Sequence, residues 1–87
     1  MPSAPRQLVI ERIQTGVRME RRVLKVLKAL AAYKNMTLGD LLEGIVLHAF
    51  EGKPPFAAPT VRKIAELKAI YELGLDARAS HRLREQS

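Results

Sequence analysis

The sequence predicts a mostly α-helical fold with one short β-strand, which pairs antiparallel with the same strand of a second copy of the chain. Residues 13–19 alternate between two sets of side chains with the period of a strand. Helical spacing of apolar residues follows at 20–33 and 38–50, and a third stretch at about 61–73 adds a C-terminal helix. A lone strand leaves backbone hydrogen-bonding groups unpaired in its own chain, so a second copy is the economical partner.

The two faces of the predicted strand have different chemistry. The face expected to enter the dimer core carries Ile13, Val17 and Met19, with Thr15 between them. The opposite, solvent-facing side carries Gln14, Gly16 and Arg18.

The first helix is basic on one side and apolar on the other. Its apolar stripe includes Leu27, which we assign to the dimer core, and Asn35 is predicted to close the helix in a left-handed conformation. The opposite face carries Arg21, Lys25 and Lys28. Charged stripes of this kind are usually solvated, and this interpretation stays open for Lys25 and Lys28.

The second helix is predicted to begin after Thr37, a good N-cap, and to end at Phe50. Its apolar arc is broad, so it must be buried on more than one side, against another subunit or the C-terminal segment. His48 lies at the margin of this arc, and we expect an interface residue rather than a metal ligand or catalytic base. The residues of the arc assigned to the dimer core are Leu41, Leu42, Ile45 and Val46.

Prolines and caps divide the chain into four segments. Thr60 is predicted to cap the third helix and Gly74 to end it. The segments are a flexible N-terminal arm at 1–7, a strand and two-helix domain at 8–51, a Pro-rich connector at 52–59 and a C-terminal helical extension at 60–87.

Size and composition exclude several classes of protein. The 87 residues contain no cysteine, which excludes disulfides and thiolate metal sites, and only two histidines, His48 and His81. So small a chain is marginally stable unless a partner subunit enlarges its core. We therefore expect a homodimer without metal or other cofactor. No catalytic motif is present, so we expect no enzyme.

The net charge of +6 lies in the first part of the chain. Residues 1–35 hold eight basic and two acidic side chains, whereas 36–59 sum to −2 and 60–87 to +2. A pI near 10.2 indicates an anionic partner, which is most often nucleic acid or an anionic membrane surface. A basic helix lying on a membrane would leave the strand and the second helix unexplained, and no apolar run is long enough to span a bilayer.

The predicted elements follow one another as a strand at 13–19, a helix, the short turn 34–37 and an apolar helix. This order resembles that of the ribbon-helix-helix family of DNA-binding proteins. Gly39 and Gly44 in the second helix depart from the family pattern, and the connector and third helix lie outside its common part. The resemblance implies a homodimer whose two strands form a ribbon in the major groove of double-stranded DNA. It further implies a cytoplasmic, nucleoid-associated transcriptional regulator that acts as a repressor.

The resemblance also implies which side chains contact DNA. Arginine suits guanine, glutamine suits adenine, and a glycine lets the ribbon approach the bases closely. The implied base-reading residues are Gln14, Gly16 and Arg18. The implied phosphate-binding residues are Arg12, Arg21, Arg22, Lys34, Met36, Thr37 and Leu38, the last three at a helix N-terminus.

Other interpretations remain open. Gln14 and Arg18 could be the solvated face of an ordinary strand, and Thr37 could serve only its own helix. The alternative function is an antitoxin-like or other protein-interaction module, whose C-terminal extension binds a partner protein. The apolar stripe and caps of the third helix favour packing on the dimer instead.

Overall fold

The structure, a computed structural model, describes residues 7–86. It contains three helices, α1 (Arg21–Tyr33), α2 (Leu38–Phe50) and α3 (Ala58–Ile70), followed by a 3-10 turn at Ala77–Ala79. Within the described residues, α2 and α3 each pack on α1 and not on each other, so α1 is the central helix. None of these helices combines the length and the apolar composition needed to cross a bilayer.

The predicted β-strand at 13–19 is wrong, and with it the predicted strand-containing fold. Residues 7–86 contain no strand, and residues 7–20, here called the N-terminal segment, have no regular secondary structure. A strand is held by hydrogen bonds to a neighbouring strand. Among the described residues, no backbone group of 7–19 bonds another backbone group. Alternating side chains predict the period of a strand, but the described part of the chain contains no second strand with which residues 13–19 could pair. Residues 1–6 of the predicted arm lie outside the described residues.

The first two helices begin at side-chain caps and follow the prediction closely. The Glu20 carboxylate accepts hydrogen bonds from the backbone N–H groups of Arg22 and Val23, at 2.8 and 2.9 Å, and α1 starts there. Asn35 ends the turn after α1 with φ of 57°, the left-handed conformation predicted for it. The Thr37 hydroxyl accepts from the Asp40 N–H at 3.1 Å, which confirms it as the N-cap of α2.

Helix α3 begins and ends three residues earlier than predicted. Its N-cap is Ala57, whose side chain makes no capping hydrogen bond, and Thr60 lies inside the first turn. Pro59 also lies in that turn, where a missing N–H is no loss and the fixed φ suits a helix. The helix stops at Ile70 because Glu72 takes a positive φ of 55°, before Gly74 is reached.

Two contacts show that α3 runs antiparallel to α1. The Lys63 ammonium lies 4.9 Å from the centre of the Tyr33 ring, at the C-terminal end of α1. The Arg22 guanidinium donates to the Glu72 carbonyl at 3.2 Å, at the N-terminal end of α1. The end of α3 is thereby placed beside the start of α1 and the N-terminal segment.

The core is small and lies along α1. Phe56 from the connector and Ile64 and Leu67 from α3 pack against it, together with Leu27, Met36 and Ile45. The buried residues are Val26, Leu30, Ala31 and Leu41, of which only Leu30 is fully buried among the described residues. The radius of gyration is 15.0 Å, against about 12 Å for a compact domain of this length, because the molecule is elongated.

Candidate nucleic-acid interface

The N-terminal segment exposes all three predicted base-reading residues. Gln14, Gly16 and Arg18 are solvent-exposed, and the Arg18 side chain keeps 84% of its surface. A Cβ on Gly16 would meet nothing within 4 Å, so the backbone there is open to close approach. Ile13 and Val17 are exposed as well, at 80% and 76%. Within one chain, these apolar side chains of the segment are therefore not buried while its polar side chains face solvent; both kinds are exposed.

Arg12, predicted to bind phosphate, is held by two carboxylates of α2. Its guanidinium bonds Glu43 at 2.7 and 3.0 Å and Asp40 at 3.2 Å. The hydrogen bond and charge of Arg12 lower the pKa of Glu43, and the same contact, chiefly with Glu43, raises the pKa of Arg12. Arg12 therefore ties the N-terminal segment to α2, and its charge is locally balanced.

The predicted phosphate-binding residues of α1 differ in how free their charges are. Arg21 is exposed and, like Lys25 and Lys28 on the same helix, makes no ion pair within residues 7–86. Arg22 is engaged with the Glu20 carboxylate at 3.1 Å and with a carbonyl of the α3 end. The Val23 backbone N–H and the Arg22 side chain both lower the pKa of Glu20.

The turn between α1 and α2 offers fewer free donors than predicted. The Met36 N–H donates to the Ala31 carbonyl at 3.0 Å, and the Thr37 hydroxyl is engaged in its own cap. Leu38 is half-buried, whereas Lys34 is exposed. Asp40 and Glu43 add negative charge to the first two turns of α2. Lys34 is therefore the member of this predicted set whose charge faces solvent.

The residues predicted for a dimer core lie in different surroundings, and two of them, Ile13 and Val17, are exposed. Leu27, Leu41 and Ile45 pack in the core of a single chain, and Met19 is half-buried. Leu42 and Val46 instead line an open apolar cleft of about 420 Å³. The other residues lining this cleft are Ile10, Glu43 and Leu47.

Sequence reasoning missed the part of the surface that the C-terminal end contributes. The Arg18 Nε lies 2.8 Å from a carboxylate oxygen of Glu85. An open cleft of about 500 Å³ also lies between α1 and the end of α3. Its lining residues are Glu20, Arg21, Arg22, Lys25, Ile70, Tyr71 and Glu72. The net charge of +2 over 60–87 is the only sequence signal of this surface, because no periodicity links residues so distant in the chain.

His48 is exposed, and its Nδ1 lies 2.7 Å from the Gly44 carbonyl of its own helix. In the part of the chain that the structure describes, no cluster of three or more His, Asp or Glu side chains could hold a metal ion.

No model of a known protein family, no curated protein and no solved structure matches this chain. The function must therefore be inferred from the chain's own residues.

Proposed function

We propose that the chain is a sequence-specific double-stranded DNA-binding protein that acts as a homodimer and represses transcription by occupying an operator. The observation that carries the proposal is the exposed basic surface of α1, formed by Arg21, Lys25 and Lys28 without carboxylate partners among the described residues. Such a surface attracts a polyanion and releases the counterions condensed on it.

Base recognition is assigned to the N-terminal segment, which leads directly into α1 at Arg21. Gln14 carries a donor and an acceptor that suit the adenine edge, Arg18 carries donors that suit the guanine edge, and both residues are exposed. Gly16 between them leaves the backbone open. Flanking phosphates are assigned to Arg21 first and to Lys34 second, since Arg12 and Arg22 are engaged within the chain.

The homodimer is supported by apolar surface that the chain leaves uncovered. Ile13 and Val17 in the N-terminal segment are exposed, and so are Val46, Leu47 and Phe50 at the end of α2. Contiguous exposed apolar side chains mark interaction surfaces, and a chain with so small a core gains stability from burying them. A second copy of the chain is the partner we propose for this surface.

Selection of bound duplexes from a random-sequence pool, followed by titration of a selected and a scrambled duplex, tests the proposal. We expect affinity for both duplexes to fall steeply between about 50 and 200 mM salt. Arg18→Ala should remove about 1 to 3 kcal/mol of preference for the selected duplex, because alanine cannot form the bidentate hydrogen bonds to a base.

Arg62→Ala is the matched control, because Arg62 is an exposed cation near the opposite end of the α1–α3 pair. It should leave the preference between duplexes unchanged. Binding that does not depend on salt would contradict DNA binding, and equal affinity for all sequences would contradict base reading.

A protein-interaction role for the C-terminal extension is the second candidate. Val61, Ile70 and Leu83 favour it, since all three are exposed apolar side chains. Against a free tail, Ile64 and Leu67 pack on the core of α1. Limited proteolysis separates the two ideas: a partner-binding tail should be removed rapidly, whereas a packed α3 should be protected.

A further inference from the structure

The C-terminal tail, defined here as residues 77–86, lies against the proposed DNA-binding surface. The Arg18 Nε is 2.8 Å from the Glu85 carboxylate. The chain is directed there by the end of α3, where the Glu72 carbonyl accepts a hydrogen bond from Arg22 at 3.2 Å. The antiparallel packing of α3 on α1 thus returns the end of the chain to the base-reading segment.

Two cations of the tail are free to contact an anion. Arg82 and Arg84 are exposed and make no ion pair within the described part of the chain, whereas Arg78 is bound to Asp76 at 2.8 Å. The Arg78 side chain and backbone lower the pKa of Asp76, which keeps that pair ionised. Arg82 and Arg84 lie within three residues of Glu85 in the chain, and Glu85 is the residue that contacts Arg18.

We propose that the C-terminal tail is part of the DNA-binding surface, with Arg82 and Arg84 contacting phosphates beside the bases read by the N-terminal segment. This inference rests on the proposed function and extends it to residues beyond the N-terminal segment, α1 and α2. Two lengths of chain, one before α1 and one after α3, would then contact the same duplex. Charge complementarity supports it, because exposed arginines on the segment that contacts Arg18 suit a phosphate backbone.

Glu85 has a different role in the same arrangement. Its carboxylate neutralises Arg18 in the free protein, and a DNA phosphate approaching Arg18 would be repelled by it. DNA binding therefore requires Arg18 to exchange its carboxylate partner for the duplex. Both side chains of this pair are exposed, at 84% and 63%, so the exchange has a small cost.

The test compares three variants with the wild-type chain, using a fluorescently labelled mixed-sequence duplex and a series of salt concentrations. Arg82→Ala/Arg84→Ala removes the two tail cations. Lys53→Ala/Arg62→Ala removes the same charge elsewhere, since these residues lie on the connector and at the start of α3. The third variant is Glu85→Gln. Circular dichroism and thermal melting verify that each variant is folded.

We expect the tail variant to lower the slope of log Kd against log salt by about 0.9 for each phosphate that is no longer neutralised, or about 1.8 per bound protomer. The control variant should change the slope by less than half as much. Glu85→Gln should tighten binding by up to about fivefold, the range expected when an exposed competing ion pair is removed.

Equal slopes for the tail and control variants would overturn the inference while leaving the proposed function intact. Unchanged or weaker binding by Glu85→Gln would overturn the competing role of Glu85. A wild-type chain that binds no duplex would overturn the proposed function and this inference together. Retained duplex binding with capture of an acidic protein by the tail would assign Arg82 and Arg84 to a protein partner instead.

Discussion

Arg12 fastens the N-terminal segment to the helices, since its guanidinium bonds both carboxylate oxygens of Glu43 and one of Asp40. A bidentate arginine–carboxylate pair has a defined geometry and is stronger than a single hydrogen bond between neutral groups. The pair is exposed, so salt screens it. The bidentate contact between the N-terminal segment and α2 requires Glu43 to be ionised.

We predict that the Glu43 carboxyl titrates below its usual value near 4.5 in the wild-type chain and returns towards that value in Arg12→Gln. Its pKa is lower in the folded than in the unfolded chain. The pair therefore contributes stability above about pH 4.5, and this contribution is lost as the pH falls through the folded-state pKa. An NMR titration of the side-chain carboxyl carbon measures the shift.

Arg18→Gln is the control for this titration, because Arg18 contacts Glu85 and not α2. It should leave the Glu43 midpoint unchanged. If Arg12→Gln also left it unchanged, the contact between the N-terminal segment and α2 would be disproved.

The backbone N–H of Met36 is a single-residue feature that the sequence predicted wrongly. Met36 follows a turn and precedes a helix, which is where free backbone N–H groups are expected. Its N–H is nevertheless bonded to the Ala31 carbonyl, because Asn35 takes a left-handed conformation and closes the turn. The conformation of Asn35 could be predicted from the residue type, but its effect on the next amide required the three-dimensional turn.

Helix starts are decided by how the residues before them satisfy the first N–H groups. Thr37 and Thr60 have the same side chain, and the sequence predicts both as N-caps. In the structure only Thr37 caps a helix, with its hydroxyl 3.1 Å from the Asp40 nitrogen. Thr60 lies within α3, after Pro59 has already entered the first turn.

We predict that Thr37→Ala destabilises the folded chain by about 1 kcal/mol, since the Asp40 N–H loses its partner. Thr60→Ala, which removes the same atoms from a residue that caps nothing, should cost clearly less. Urea unfolding of both variants measures the difference, compared at equal protein concentration. A larger loss for Thr60→Ala would mean that α3 begins where the sequence predicted.

At the scale of the whole molecule, few apolar side chains are buried and many large ones are exposed. Four of the described residues are buried, whereas large apolar side chains are exposed along the N-terminal segment and at the end of α2. A domain of this size is marginal when it buries so little. This imbalance is the strongest reason to expect that a second copy completes the fold.

We predict a dimer of about 19 kDa, twice the 9.7 kDa of one chain, in sedimentation equilibrium. Leu47→Ser should raise its dissociation constant by about tenfold or more, because burying a leucine is worth about 1.5 to 3 kcal/mol. Leu83→Ser is the matched control, since Leu47 and Leu83 are 63% and 56% exposed.

The control should leave the dissociation constant unchanged, because Leu83 lies in the C-terminal tail and not on α2. A strictly monomeric wild-type chain would contradict the dimer. Equal weakening by the two variants would move the interface away from α2.

The sequence by itself determined α1 and α2, because apolar spacing, Thr37 and Asn35 are local signals that act within a few residues. It also predicted that a third helix exists, but placed both of its ends three residues too late. It also located the net charge in the first part of the chain. It predicted a strand at 13–19 wrongly, since side-chain alternation is local but strand pairing requires a neighbour. Only the tertiary structure decided that Arg12 is held by α2 and that Arg18 meets Glu85. These contacts join residues far apart in the chain, and they exist because α3 packs antiparallel on α1 and the N-terminal segment lies against α2.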